Sequence, residues 1–191
     1  MLDLLAIITI MFWLVIPLFW IPVHFFSVSY RKIGLKAYLL PVFTWLPCCF
    51  LIYMNRGLLL QYRITIPCLL LVAGWILLVA GTFLHIWTAR LLDIWGIIGV
   101  PEVSSRVYTD LISRGPFSVV RHPTYFAHTI LFSGAFLATG VVSVGIITMI
   151  DFLLVNALII PLEEKELLNR FGKTFDDYRK KVPYRFIPGL F

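Results

Sequence analysis

Hydrophobic residues occur along this chain in long runs that are separated by short polar stretches. The main runs are residues 4–26, 37–54, 64–87, 125–139 and 141–162. Because a helix needs about 20 apolar residues to cross a bilayer core, each run predicts a membrane-spanning helix. Almost no loop separates the last two runs, so they are predicted to form a tight antiparallel hairpin around Gly140. The pattern predicts an all-α integral membrane protein with about five transmembrane helices.

Polar residues are concentrated between residues 88 and 124 and again after residue 162. The first stretch contains a short amphipathic piece at 107–113. The second predicts a helical tail in two pieces, which stop at Gly172 and before Pro183 and cover residues 163–171 and 175–182. Neither piece is apolar enough to span, so both are expected to cover the inner ends of the spans. We treat 1–191 as one membrane domain, with spans and a loop in 1–106 and a core with its tail in 107–191.

The composition excludes the main soluble classes. The chain is 60% hydrophobic and only 14% charged, whereas soluble domains are about 45–50% apolar and about 25% charged. The cysteines lie in apolar runs without metal-ligand spacing, so no disulfide framework or metal site is predicted. The net charge of +6 indicates anionic lipid headgroups rather than nucleic acid as the partner.

Basic residues set the expected orientation in the membrane. They are frequent in the first and third loops and in the tail, and these segments lie on one side if there are five spans. The positive-inside rule places that side in the cytoplasm and the N-terminus outside. The same arrangement brings all four histidines to the cytoplasmic boundary: His24, His85, His122 and His128.

The first candidate site lies at residues 121–125, where the fourth span begins. Pro123 suits a first helical position, because the amide that proline lacks would be unpaired there anyway. Arg121 and His122 offer donors beside free amides that favour a negative group, and Tyr125 offers an aromatic face. The alternative interpretation is a simple interfacial anchor.

The second candidate site is Glu163-Glu164, directly after the last span. Asn156 lies seven residues earlier, so a regular helix would place it on nearly the same face as Glu163. Asp151 lies deeper, and an acid inside a membrane is a functional candidate by default, although it could also be a hydrogen-bonded packing residue. The hairpin brings the two candidate sites together, with cations at one pole and carboxylates at the other. A zwitterionic cofactor with ribose hydroxyls would suit them.

These residues carry a family resemblance. Residues 115–125 have the sequence Gly-Pro-Phe-Ser-Val-Val-Arg-His-Pro-Thr-Tyr, which resembles the G-P-[YF]-x-x-[VI]-R-H-P-x-Y motif of the isoprenylcysteine carboxyl methyltransferase and phospholipid methyltransferase superfamily. A second signature of the same superfamily follows after one helical hairpin: Glu163-Glu164, Leu167, Phe171-Gly172, Phe175, Tyr178 and Val182-Pro183. The resemblance covers about residues 107–188.

The resemblance implies an integral-membrane methyltransferase that uses S-adenosylmethionine and releases S-adenosylhomocysteine. It implies a cytoplasmic-side cofactor pocket in which Glu163 or Glu164 binds the ribose or the amino group and Tyr178 closes the tail over the cofactor. A lipophilic acceptor, lipid-embedded or isoprenoid-like, would enter from the bilayer. The implied lining of the pocket is Arg121, His122, Pro123 and Tyr125.

Two positions depart from the family pattern. Ala127 occupies a position where the motif often has glycine. Ile159 occupies a position where the prenylcysteine enzymes share an arginine. Without that arginine, a carboxylate acceptor is less well supported. His128, Asp151 and Asn156 are the remaining candidates for catalytic groups, and an amine acceptor would need a base among them.

Two other functions compete with methyl transfer. Membrane sterol and steroid reductases carry a similar Arg-His-Pro-x-Tyr segment and bind NADPH, although they are usually longer and lack the second signature. A non-enzymatic transporter subunit is the third possibility. Transporters more often show repeats or paired broken helices, and the sequence shows neither.

Overall fold

The computed structural model describes residues 1–104, 110–187 and 189–190, without the side chains of Val28 and Ile94. Part of the amphipathic piece predicted at 107–113 therefore lies outside the described residues, and 110–113 are not helical. The helices are α1 (Leu2–Trp13), α2 (Ile21–Phe25), α3 (Ser27–Ile33), α4 (Leu39–Met54), α5 (Arg56–Leu60), α6 (Cys68–Ile97), α7 (Val100–Val103), α8 (Pro123–Thr139), α9 (Val142–Leu154), α10 (Ile160–Phe171) and α11 (Lys173–Lys181).

The described chain is nearly all helical, which confirms the predicted fold class. Four segments are long and apolar enough to cross a membrane: Leu2–Phe25, Ser29–Met54, Cys68–Asp93 and Val142–Phe171. The helix α8 has 17 residues and is about 25 Å long at 1.5 Å per residue, so the count of five spans stays a prediction. The predicted hairpin is present, since Gly140 takes the left-handed conformation (φ 65°) between α8 and α9.

The third span begins later than the sequence pattern suggests. Residues 64–67 are not helical, and α6 begins at Cys68, after Pro67. The Ile64 amide donates to the Gly140 carbonyl at 2.9 Å, and Arg63 forms a β-bridge with Val141. This apolar segment therefore packs as extended chain against the hairpin turn. Hydrophobicity alone did not distinguish it from helix, because both bury apolar side chains.

The helices α6 and α8 form the most extensive packing in the structure, and they approach closely at glycines. A Cβ atom on Gly134 would lie 2.8 Å from the Gly74 carbonyl oxygen, and one on Gly81 would lie 3.0 Å from the Leu131 amide. Small residues at such contacts let membrane helices pack backbone to backbone. This packing fixes the height of α8 against α6.

The last span continues into the predicted tail helix without a break. A π-helical turn, Val155–Ile159, joins α9 to α10, which ends at Phe171 before Gly172 (φ 54°). The predicted piece 163–171 is thus the end of one long helix rather than a separate element. Only α11 is separate, and it turns back over the start of α8 through the contacts described below.

Replacement of Gly134 by alanine should destabilise the helix pair, because the new Cβ would meet backbone atoms that cannot move independently. Overpacking of this kind costs about 1–3 kcal/mol, and the detergent-solubilised protein should show a lower unfolding temperature. Gly57 is the matched control, since it lies in α5 with no atom within 4 Å of an added Cβ. Equal unfolding temperatures for Gly134→Ala and Gly57→Ala would contradict this account.

Candidate functional site

The turn before α8 holds the first candidate motif in place. Gly115 has φ 61° and opens a 3-10 turn, Gly115–Ser118, packed beneath Leu91 and Trp87. Pro123 is the first residue of α8, as predicted, and His122 precedes it with non-helical φ and ψ. Because proline has no amide hydrogen, its position adds no unpaired donor to the first turn of the helix. Arg121 and His122 therefore lie directly before the first turn of α8.

Arg121 is buried and forms an ion pair with the second glutamate of the acidic pair. Its Nε donates to Glu164 Oε1 at 2.8 Å, and its Nη1 donates to the carbonyls of Val182 and Pro183 at 2.7 and 2.6 Å. Both charged side chains are more than nine-tenths buried. One guanidinium thus joins the loop before α8, the helix α10 and the tail after α11.

The tail is fixed by backbone bonds as well. The amides of Arg121 and His122 donate to the carbonyls of Tyr184 and Arg185, both at 2.9 Å. The Tyr178 hydroxyl donates to the Phe117 carbonyl at 2.7 Å. The tail therefore lies along the motif residue by residue, and Tyr178 anchors α11 to the turn before α8.

His122 lies between the two glutamates. Its Nδ1 is 3.5 Å from Glu163 Oε2, and its Nε2 is 3.3 Å from Glu164 Oε1. Burial by itself would lower the pKa of His122, but the hydrogen bonds and negative charges of Glu163 and Glu164 outweigh it and raise the pKa above its usual value. The Tyr125 ring stacks on the imidazole, with ring centroids 6.0 Å apart. The imidazole and the two carboxylates therefore orient one another.

Several buried polar atoms around this core have no hydrogen-bond partner among the described residues. They are Glu163 Oε2, Thr124 Oγ1 and both ring nitrogens of His24. Glu163 Oε2 is an acceptor that suits an ammonium group or a ribose hydroxyl, and the Thr124 hydroxyl can donate or accept. Unpaired buried polar atoms are costly. These atoms therefore fit S-adenosylmethionine, whose ammonium group and ribose hydroxyls can donate hydrogen bonds to them.

His128 and Asp151 meet deeper in the helix bundle. His128 Nδ1 is 3.9 Å from Asp151 Oδ2, a separation longer than a hydrogen bond. Asp151 is 1% exposed, and neither of its carboxylate oxygens has a hydrogen-bond partner among the described residues. The imidazole packs edge-on against Phe132, with ring centroids 4.1 Å apart. A buried acid–imidazole pair with free lone pairs can accept a proton.

Asn156 is placed differently from the regular-helix expectation. It lies in the π-helical turn, and its amide nitrogen donates to the Phe152 carbonyl at 2.8 Å within the same helix. The wide turn changes the angular relation between Asn156 and Glu163, because the expectation assumed 3.6 residues per turn. A catalytic role for Asn156 stays a prediction.

Two further residues join the site without having been predicted there. His24 stacks on Trp20 and lies within electrostatic range of Glu163 and His122. Arg185 Nη2 is 3.3 Å from Glu164 Oε2. The grouping of the histidines at one boundary pointed to His24, whereas nothing in the sequence pattern distinguished Arg185 from the other basic residues of the tail.

The chain matches a known protein family in sequence. Residues 69–174, more than half of the chain, match the family described as phospholipid methyltransferase. The chain belongs to the phospholipid methyltransferase family. Membership confirms the family resemblance and supports a membrane methyltransferase as the general class, and it gives no support to the reductase alternative.

The chain is also similar in sequence to a curated protein. The chain is 33% identical over 88 residues to the nickel-cobalt-cadmium resistance protein NccN of Alcaligenes xylosoxydans xylosoxydans. That similarity covers 46% of this chain and 40% of NccN, so the chain matches less than half the length of this relative. No solved structure matches the chain.

Substitution of Arg121 by glutamine should destabilise the protein strongly. It leaves the Glu164 carboxylate buried without its main partner, and removal of one member of a buried pair costs about 3–5 kcal/mol. Unfolding in detergent should show this loss, and protease cleavage after residue 181 should become faster. Arg185→Gln is the matched control, because Arg185 is 46% exposed and such pairs contribute about 0–1 kcal/mol. An equal loss in both variants would argue against Arg121 as the anchor.

The stabilising effect of His122 should depend on pH. Because its folded-state pKa is raised, its contribution is complete below the unfolded value of about 6.5 and is lost as the pH rises through the folded pKa. The difference in unfolding free energy between the natural protein and His122→Gln should therefore be largest near pH 6 and decrease toward pH 9. A difference that increases with pH would be the opposite of this expectation.

Proposed function

We propose that this protein is an integral-membrane methyltransferase that uses S-adenosylmethionine and acts on a lipid-embedded acceptor. The single observation that carries the proposal is the Glu163 carboxylate. Its Oε2 lies 3.5 Å from His122 Nδ1 at the start of α8, which is longer than a normal hydrogen bond, and this oxygen keeps an acceptor position for a further donor. This oxygen is itself shielded from solvent, so a hydrogen-bond donor would stabilise it, and the cofactor carries donors of the right kind.

The chain's residues divide the work of holding the cofactor. Glu163 accepts hydrogen bonds from its amino group or ribose, and Tyr125 offers a ring face. His122 orients Glu163, and Pro123 sets the height at which α8 begins. Further residues give this pocket a rigid wall and cover: Arg121, Glu164 and Tyr178.

The pocket is proposed to face the cytoplasm. The same end of the helix bundle carries the tail, where basic residues are frequent, and the positive-inside rule favours the cytoplasm for such segments. The opposite end carries Asp3, which pairs with Arg63 at 2.5 Å. A lipophilic acceptor would then reach the site from the inner leaflet.

The nature of the acceptor is argued from two positions. Ile159 is fully buried in an apolar cluster with Ile16 and Val155, so no cation is present there to bind a carboxylate, and an isoprenylcysteine carboxylate is not favoured. His128 and Asp151 are a buried pair able to accept a proton. They suit an amine, which must lose a proton before it attacks.

S-adenosylmethionine supplies a methyl group already activated by its sulfonium. The bond from the acceptor atom to this methyl forms as the sulfur–methyl bond breaks, leaving S-adenosylhomocysteine. The chain orients the acceptor, excludes water and takes up the displaced proton, with His128 and Asp151 as the receiving groups. Asn156 is a candidate for orienting the acceptor by hydrogen bonding, because an amide can donate or accept a hydrogen bond but cannot take up the proton.

The two adjacent glutamates should behave differently when each is replaced by glutamine. Glu163→Gln should lower the affinity for S-adenosylhomocysteine at least about tenfold, since hydrogen bonds to a charged group contribute about 1.5–3 kcal/mol, and it should leave the fold intact. Glu164→Gln should instead destabilise the fold, because Glu164 pairs with Arg121. Isothermal titration calorimetry and thermal unfolding of the detergent-purified protein measure the two effects.

NADPH is the parallel ligand in the same calorimetry. Binding of S-adenosylhomocysteine but not NADPH by the natural protein is the expected result. If neither glutamate variant changes cofactor affinity, the assignment of the pocket is wrong. If NADPH binds and S-adenosylhomocysteine does not, methyl transfer is wrong as well.

A further inference from the structure

A second group of charged side chains, which includes two buried glutamates, lies beside the proposed cofactor site at the same end of the bundle. Glu102 lies on α7, and Glu166 and Arg170 lie on α10. Arg31, on α3, contacts Glu166. Glu102 and Glu166 are more than nine-tenths buried. We call Glu102, Glu166 and Arg170 the charged chamber.

The charges in this chamber face one another without closing into hydrogen bonds. Arg170 Nη1 is 3.8 Å from Glu102 Oε1 and 3.8 Å from Glu166 Oε1. Hydrogen bonds between charged groups are normally 2.7–2.9 Å long. The atoms without a hydrogen-bond partner among the described residues include Glu102 Oε2, Glu166 Oε2 and two guanidinium nitrogens of Arg170, Nε and Nη1.

Such an arrangement is poor as a purely structural clamp. A buried ion pair offsets the cost of desolvating its charges only when its geometry is good and its remaining donors and acceptors are bonded. Burial raises the pKa of Glu102 to about 7, even though the charge of Arg170 lowers it. The Glu102 carboxylate also lacks a full contact with this cation, because Arg170 Nη1 is 3.8 Å from its Oε1. Carboxylate oxygens and guanidinium nitrogens without hydrogen-bond partners among the described residues therefore lie close together.

The charged chamber lies on the same face of α10 as Glu163. Glu163, Glu166 and Arg170 are spaced three and four residues apart on α10, so they lie along one face of that helix. From Glu163 to Arg170 this face extends about 10 Å at 1.5 Å per residue. His24, whose ring nitrogens have no hydrogen-bond partner among the described residues, lies within electrostatic range of both Glu163 and Arg170. One ligand of cofactor size can therefore contact both places.

We propose that the charged chamber binds the zwitterionic amino-acid end of S-adenosylmethionine, with Arg170 on its carboxylate and Glu102 on its ammonium group. This inference rests on the proposed function, and it assigns a part of the ligand to Glu102, which lies outside the two sequence signatures, and to Arg170, at a position that the second signature leaves unspecified. A ligand with both charges supplies the full contacts that the chamber lacks. Glu166, which also contacts Arg31, positions Arg170 from the side.

The test compares two ligands that differ only at the amino-acid end. S-adenosylhomocysteine carries the amino acid, whereas 5′-methylthioadenosine has the same nucleoside and a thioether without it. For Arg170→Met and Glu102→Gln, we expect the affinity for S-adenosylhomocysteine to fall at least about tenfold, as loss of a charged hydrogen bond implies. The affinity for 5′-methylthioadenosine should change less than about twofold, and Arg170→Lys should be intermediate because it keeps the charge without the planar fork.

Arg179→Met is the matched control, since Arg179 is an arginine of α11 that is 44% exposed. It should leave both affinities unchanged. A structural clamp predicts instead a lower unfolding temperature for the Arg170 and Glu102 variants with an unchanged ratio of the two affinities. That result, or unchanged binding of S-adenosylhomocysteine, would overturn the inference. A natural protein that binds neither ligand would overturn the proposed function itself, which is a separate outcome.

Discussion

The buried ion pair between Arg121 and Glu164 is the constraint on which the rest of the site depends. Neither charge could lie at this depth alone, because an unpaired buried charge costs several kcal/mol. Together they fix the start of α8 against α10, and the spare donors of Arg121 bind two carbonyls of the tail. The close glycine packing of α6 and α8 then transmits this placement to the membrane-spanning part. Because the charges of Arg121 and Glu164 are paired with each other, the neighbouring polar groups are left to bind a polar cofactor in the proposed site.

Adjacent residues on a helix point about 100° apart, and this separates the roles of the two glutamates. Glu164 faces Arg121 and is paired with it, whereas Glu163 lies against His122 and keeps an acceptor position on Oε2. The same logic extends along α10 to Arg170. In the proposed function, α10 therefore has a structural face that includes Glu164 and a ligand-binding face that includes Glu163.

Hydrophobic runs predicted most helices, the Gly140 hairpin and the proximity of His122 to Glu163-Glu164, because these follow from span length and direction. The extended segment 64–67 was not predicted, because a short run of apolar residues is compatible with either a helix or a buried extended segment. The π-helical turn Val155–Ile159 was also missed, because periodicity assumes regular helix. The hydrogen bonds from Arg121 to the tail carbonyls depend on how the tail folds back over α8. The approach of Glu102 to Arg170 likewise depends on how the short helix α7 folds back toward α10. Local sequence patterns carry no such information.

Methyl transfer into the lipid phase is the most direct test of the central claim. Membranes containing the protein would be incubated with S-adenosylmethionine labelled in its methyl group, and label would be measured in the organic extract. The account predicts label in lipophilic product with the natural protein and little above background with Glu163→Gln, in membranes that contain equal amounts of folded protein. Equal labelling by both proteins, or none by either in membranes of the native host, would contradict it.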